Sequence, residues 1–145
     1  MSRLRVAGLT GQVRRELHEI VHLCEIATVA DRELDARIAL AIFPRLAVLE
    51  KIGVGVWRHS DGSRIRALRY SADETAAASL LPAGHWLEAD PDALDRVWVY
   101  GPCSGDEVSA RHVSKALAIA AACMHMRAKL KAKHFAAEAG ALRSA

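Results

Sequence analysis

The chain has 145 residues, with 20 lysines and arginines against 17 acidic residues, a formal net charge of +3 and three cysteines. This length favours a single domain whose core needs no metal or disulfide, and so small a net charge does not by itself indicate nucleic-acid binding. The cysteines are widely spaced, which argues against the disulfides of a secreted protein. We find no apolar leader and no run of about eighteen uncharged apolar residues, which argues against secretion and membrane insertion. We therefore expect a cytoplasmic protein.

Two amphipathic helices are predicted before any strand. Apolar residues recur at helical spacing over residues 12–26, and residues 1–11 ahead of them are expected to be a flexible N-terminus. Asp31 can cap a second helix that ends near Ile42, because the Phe43-Pro44 pair disfavours its continuation.

A β-hairpin with a basic second strand is predicted next. Residues 53–59 and 64–69 flank a turn at residues 60–63. The alternating glycines of Gly53-Val54-Gly55 are not followed by a helix, so we interpret them as a strand or a loop with close backbone packing rather than as a dinucleotide-binding loop.

A short helix and a second hairpin follow. Ser71 and Glu74 have the spacing of a capping box, which predicts a helix that ends at Pro82. Residues 85–90 and 96–101 then flank a turn and are rich in bulky aromatic and β-branched side chains.

A long alanine-rich helix is predicted from Ser109 onward, after a loop at residues 103–107. The order ααββαββα predicts an α+β fold, a three-layer helix-sheet-helix sandwich around one antiparallel four-stranded sheet. We place this single domain at residues 12–130 and a basic, alanine-rich tail at residues 131–145.

The segment His18-Glu19-Ile20-Val21-His22 has the H-E-x-x-H pattern of zinc hydrolases. On a helix, His18 and His22 share one face and could bind zinc, with Glu25 as a third ligand. Only seventeen residues precede His18, too few for the strands that come before the zinc helix in such proteases. The alternative is an exposed helix face with polar histidines, and we expect a protein without a cofactor that is not an enzyme.

Arginines concentrate in the first predicted hairpin. Guanidinium groups suit phosphates, and an indole can stack on a nucleobase. Arg111 lies near the predicted start of the last helix, where anions are favoured. An ordinary solvated strand face is the alternative. The predicted ligand-binding residues are Arg58, Arg64, Arg66, Arg111, Trp57 and Trp98.

Three segments resemble the phage ABA-sandwich family of small bacteriophage and prophage proteins. They are residues 31–40, the run from Tyr70 to Trp86 with its Leu81-Pro82-Ala83-Gly84 stop, and the alanine-rich residues 116–123. The resemblance implies a phage accessory protein and brings no catalytic residues with it.

By analogy with other small phage proteins, we expect a homo-oligomer in the host bacterial cytoplasm that sequesters a small nucleotide-like ligand and counters host defence. A module that binds nucleic acid or a host protein is the second hypothesis. A zinc-dependent hydrolase is the third.

Overall fold

A computed structural model describes the backbone of residues 2–144 and the side chains of residues 11–134 and 136. The backbone of residues 2–11, predicted as a flexible N-terminus, is the first part of a helix, and the predicted tail is helical as far as residue 144. Residues 1 and 145, and the other side chains of these two segments, lie outside the described residues. The described chain is α+β, with four α-helices and two separate antiparallel sheets of three strands each. The α-helices are α1 Ser2–Ile26, α2 Arg32–Ile42, α3 Glu74–Ala78 and α4 Lys115–Ser144.

The core lies around the first half of α4, where small side chains let other elements approach closely. Alanines 116, 118 and 120–122 are buried, and the larger Leu117, Met124 and Met126 fill the space between α4 and its neighbours. Helix α4 packs against α1, α3 and the second sheet, and α1 packs against α2. Cys24 and Cys123 are buried free thiols in this core, as expected for a reduced protein.

The first sheet contains β1 Glu50–Gly53, β2 Val56–Arg58 and β3 Arg64–Arg66, in that order. The predicted hairpin is confirmed by the pairing of β2 with β3, but its first strand is shorter than the predicted 53–59 because the chain turns back at Val54-Gly55. Gly55 has φ +70°, a conformation that favours glycine. A Cβ atom at Gly55 would also lie 3.0 Å from Nη2 of Arg32.

The second sheet contains β4 Trp86–Asp90, β5 Ala93–Tyr100 and β6 Glu107–Arg111. Strand β6 was predicted as a loop and the start of the last helix. Its buried positions instead alternate, with Val108 and Ala110 facing the core opposite Val99 and Val97 of β5.

The predicted single four-stranded sheet and its order ααββαββα are wrong. Each predicted hairpin pairs with a third strand from its own part of the chain, β1 on β2 and β6 on β5. No ladder between residues 2 and 144 joins the two sheets. The helices therefore do not cover the two faces of one common sheet.

The predicted N-cap of α2 is confirmed, whereas the predicted N-cap of α3 is wrong. Asp31 caps α2 as predicted, since its side chain accepts a hydrogen bond from the Glu33 N–H. Helix α3 is shorter than predicted, and Asp73, not Ser71, is its N-cap. Ser71 is buried and bonded to Asp35 of α2, a partner too distant in sequence for a local capping pattern to indicate.

Candidate binding groove

An apolar groove of about 650 Å³ runs between α2 and the first sheet. One wall is the end of α2 and the 3₁₀ helix Pro44–Val48, and the other is β3 with the segment that follows it. The lining contains no aspartate or glutamate. Its apolar side chains are Ala39, Ile42, Phe43, Leu46, Val48, Leu49, Ile65, Ala67, Leu68, Tyr70 and Leu80.

The groove is open because local turns hold apolar side chains away from the core. Pro44 starts the 3₁₀ helix directly after α2 and redirects the chain. Phe43 is 56% exposed, Val48 86% and Leu68 51%, although all three line the groove. Large apolar side chains grouped at one exposed site are a recognised mark of binding surfaces.

Basic and polar side chains lie at the rim of this groove. Arg45, His59 and Arg66 contribute to the lining, and none of the three forms an ion pair with a described acidic residue. Burial raises the pKa of Tyr70, and the nearby charge of Asp35 raises it further. The Tyr70 ring therefore stays a neutral phenol at physiological pH.

A buried polar cluster next to Tyr70 holds α2 against the segment that follows β3. Both the backbone N–H and the hydroxyl of Ser71 donate to Oδ1 of Asp35, at 2.8 and 2.7 Å. Arg32 donates from Nη1 to the other oxygen of Asp35 at 3.0 Å, and from Nη2 to the carbonyl of Ala67 at 3.1 Å. Tyr70 is thereby flanked by anchored neighbours.

In the first sheet, the arginines and the tryptophan of the predicted ligand site lie on opposite faces. The register pairs Arg58 with Arg64 and Trp57 with Ile65, so the arginines share the outer face while Trp57 faces inward. Trp57 is only 2% exposed, which leaves no ring face for a base to stack on. Arg58 Nη1 lies 3.9 Å from Oε2 of Glu50, whereas Arg64 and Arg66 have no described ion-pair partner.

The other two predicted ligand-binding residues lie on the second sheet. Arg111 Nη2 is 3.0 Å from Oδ1 of Asp95. The indole N–H of Trp98 donates to Oδ2 of Asp90 at 3.0 Å. The structure therefore brings together Arg58, Arg64 and Arg66 but not Arg111 or Trp98.

The H-E-x-x-H segment lies within α1 with both histidines exposed. Oε2 of Glu19, the acidic residue of the motif, is 3.3 Å from Nη2 of Arg37 on α2. Glu25 is also exposed on α1. Among the described residues, no group of three or more histidines, cysteines or acidic side chains could hold a metal ion. A zinc site at His18, His22 and Glu25 stays a hypothesis.

The basic part of α4 is joined to neighbouring elements at three places. Arg127 donates from Nε to the carbonyl of Leu80 at 2.7 Å. Lys129 donates to the carbonyl of Gly105, and Lys133 forms an ion pair with the buried carboxylate of Asp106. Of these three residues, Lys133 belongs to the predicted tail, and its ion pair attaches the start of the tail to the loop before β6.

The groove was missed in the sequence, although a signal was present. Residues 46–49 read Leu-Ala-Val-Leu directly after Pro44 and Arg45, an apolar run with no helical or strand alternation. Such a run fits neither a core strand nor an amphipathic helix, and it could have been interpreted as a surface segment.

No helix in the described part of the chain is both long and apolar enough to span a membrane. No protein-family model, no curated protein and no solved structure matches the chain. The groove and the two sheet faces are therefore the features that bear on function.

Proposed function

We propose that this protein binds a small amphipathic anion, with the apolar body in the groove and the acid group at its basic rim. The observation that carries the proposal is a groove of about 650 Å³ with an apolar lining, no carboxylate, and Arg45 and Arg66 at the edge. This volume is within the roughly 300–1,000 Å³ of ligand pockets, which are mostly apolar with a few placed polar groups.

The apolar lining predicts how affinity depends on ligand length. Burying one methylene contributes about 0.8 kcal/mol, which is about a fourfold gain in affinity. Along a series of straight-chain carboxylates we therefore expect nearly constant steps, until the hydrocarbon is longer than the groove. A ligand held by surface charge alone would show no such steps.

Titration calorimetry with carboxylates of six to twelve carbons tests the proposal, alongside displacement of the apolar anionic dye 1-anilinonaphthalene-8-sulfonate. Arg66→Gln is expected to weaken binding about two- to fivefold through loss of an exposed ion pair. Arg15→Gln, on the exposed side of α1, is the matched control and is expected to change nothing.

A second pair of variants tests the apolar part of the groove. Leu68→Asp places a carboxylate in the lining, so we expect loss of dye and carboxylate binding. Leu94→Asp makes the same change at a fully exposed leucine of β5 and is expected to bind normally. Equal binding by both variants, or a flat response to chain length, would refute the proposal.

The second candidate is a phage or prophage accessory protein that sequesters a nucleotide-type ligand. It is supported by Arg58, Arg64 and Arg66 on one exposed sheet face, which could hold phosphates without an apolar contact. Binding of ATP or a cyclic dinucleotide that Arg64→Gln weakens and Leu68→Asp leaves unchanged would favour this candidate over the amphipathic anion.

A further inference from the structure

An aromatic ladder lies on the outer face of the second sheet, opposite the face packed on α4. The rings of Trp86 and Tyr100 stack with centroids 5.9 Å apart, and those of Tyr100 and Trp98 with centroids 6.0 Å apart. Trp86 faces Tyr100 directly across the β4–β5 ladder and is 46% exposed. Three stacked rings thus form a continuous surface on an exposed sheet.

One end of the ladder already holds a cation from the chain itself. The guanidinium carbon of Arg96 lies 5.9 Å from the centroid of the Trp98 ring. Arg96 Nη1 is 3.6 Å from Oδ2 of Asp90, and the same oxygen accepts the indole N–H of Trp98. Trp98, Asp90 and Arg96 therefore form one unit, in which the carboxylate contacts both the indole and the guanidinium.

The other end repeats the indole and the carboxylate. The indole N–H of Trp86 donates to Oε1 of Glu88 at 3.2 Å, which fixes the ring as Asp90 fixes Trp98. Glu107 of β6 lies opposite Tyr100 on the same face. Within residues 11–134, neither Glu88 nor Glu107 forms an ion pair, and no lysine or arginine lies over Trp86.

We infer that the Trp86 end of the ladder binds an arginine or lysine side chain of a partner polypeptide. A cation over an indole is attracted by the negative ring face, and Glu88 supplies the opposite charge beside Trp86. Glu107 adds negative charge on the same face, on the far side of Tyr100. The whole chain has a net charge of +3, so attraction of a basic segment is a property of this face and not of the protein as a whole. Two carboxylates would repel the phosphates of a nucleic acid.

Titration with the peptide acetyl-Gly-Arg-Gly-Arg-Gly-amide, followed by tryptophan fluorescence, tests the inference. Trp57 is buried and gives a constant background, so a saturable change reports on the ladder. We expect Glu88→Gln and Glu107→Gln each to weaken binding about two- to fivefold. Glu33→Gln, an exposed carboxylate on α2, is the matched control and is expected to bind as the wild type does.

Three outcomes would overturn the inference. The first is equal binding of the corresponding peptide with glutamate in place of arginine. The second is binding of single-stranded DNA that becomes stronger in Glu88→Gln, because this would indicate base stacking on the rings. The third is self-association in sedimentation that the same substitutions abolish without any binding of the arginine peptide, which would assign this face to a second copy of the chain.

Discussion

Replacing Asp35 tests whether its buried carboxylate holds α2 to the segment after β3. Asp35 is 1% exposed and accepts two hydrogen bonds from Ser71 and one from Arg32. Asp35→Ala leaves the buried N–H of Ser71 without a partner, at about 1–3 kcal/mol, and leaves its hydroxyl only the longer bond to the Asp31 carbonyl at 3.2 Å. Loss of the partly exposed Arg32 pair adds up to about 1 kcal/mol. We expect a loss of about 2–4 kcal/mol from the free energy of unfolding.

Asp35→Asn separates the charge from the hydrogen bonds. Both Ser71 donors bond the same oxygen, Oδ1, so an asparagine with its amide oxygen there keeps both as neutral bonds. Its amide nitrogen then faces Nη1 of Arg32, which loses the carboxylate as an acceptor and keeps the carbonyl of Leu68. Because neutral hydrogen bonds have about half the strength of charge-assisted ones, we expect a loss of about 1–2 kcal/mol, clearly smaller than for alanine.

Urea unfolding followed by circular dichroism measures both losses, and a double-mutant cycle with Ser71→Ala isolates the bond from the Ser71 hydroxyl. We expect Asp35→Ala and Ser71→Ala to be non-additive by about 1 kcal/mol, because each removes one partner of that bond, whereas the backbone N–H of residue 71 keeps its bond to Asp35 in Ser71→Ala. Asp92→Ala, at an exposed position of the β4–β5 turn, is the control and is expected to stay within about 0.5 kcal/mol of wild type. A loss below about 1 kcal/mol in Asp35→Ala, or additivity within about 0.5 kcal/mol, would refute the reasoning.

In a native thiol titration at pH 8, we expect the exposed Cys103 to react. Burial raises the pKa of Cys24 and of Cys123 to about 12, so we expect these two thiols to react only in urea. Fast modification of more than one thiol would contradict this. The hydrogen bond from Lys133 lowers the pKa of Asp106 in the folded protein. The pair therefore stabilises the fold at any pH above the pKa of about 3.9 that the aspartate has in the unfolded chain. This stabilisation disappears as the pH falls through the lower pKa of the folded state. Asp106→Asn is accordingly expected to lower the unfolding midpoint at pH 7 and to match the wild type near pH 2, and a difference that persists near pH 2 would show that the ion pair is not its cause. Ala121→Leu, at a fully buried site of α4, is expected to lower the free energy of unfolding by about 1–3 kcal/mol through overpacking. Ala72→Leu, at an exposed site, is the control and is expected to cause no such loss. Equal unfolding curves for the two variants would rule out close packing at α4.

The helices could be predicted from the sequence because their signals are local. Asp31 and the Phe43-Pro44 pair bound α2 as expected, and the alanine-rich run from residue 116 onward forms the buried part of α4. Such signals need only neighbouring residues, namely a cap, a stop and a repeat near 3.6 residues. The same rules failed at Ser71, where Asp35 occupies the hydroxyl that a capping box would use.

The sheets could not be predicted in the same way because strand pairing is a long-range property. Strand β1 is short and mostly polar, and Glu50-Lys51-Ile52-Gly53 has no alternation that would distinguish it from a loop. Strand β6 does alternate, with Val108 and Ala110 inward, but five residues of this kind also fit the start of a helix. Because neither β1 nor β6 was predicted, the strands of two separate sheets were assigned to a single sheet.

The site predictions depended on which face of each strand is buried. Trp57 and Arg58 are neighbours in sequence, and only the register shows that the ring faces inward and the guanidinium outward. Trp98 and Tyr100 are two residues apart on one strand, a spacing that predicts a shared face. That spacing does not indicate that Trp86 of β4 lies beside Tyr100, nor that this face is exposed.

The net charge of +3 averages over two sheet faces of opposite character. The first sheet presents arginines beside an apolar groove, and the second presents Glu88 and Glu107 beside stacked rings. Exposed charges are screened at high ionic strength, where the Debye length falls from about 10 Å at 0.1 M to about 3 Å at 1 M. Added salt therefore weakens the head-group contact of an anion and the binding of a basic peptide. The affinity step per methylene persists, because hydrocarbon burial does not depend on charge. A chain-length series at two salt concentrations thus separates the groove from its rim.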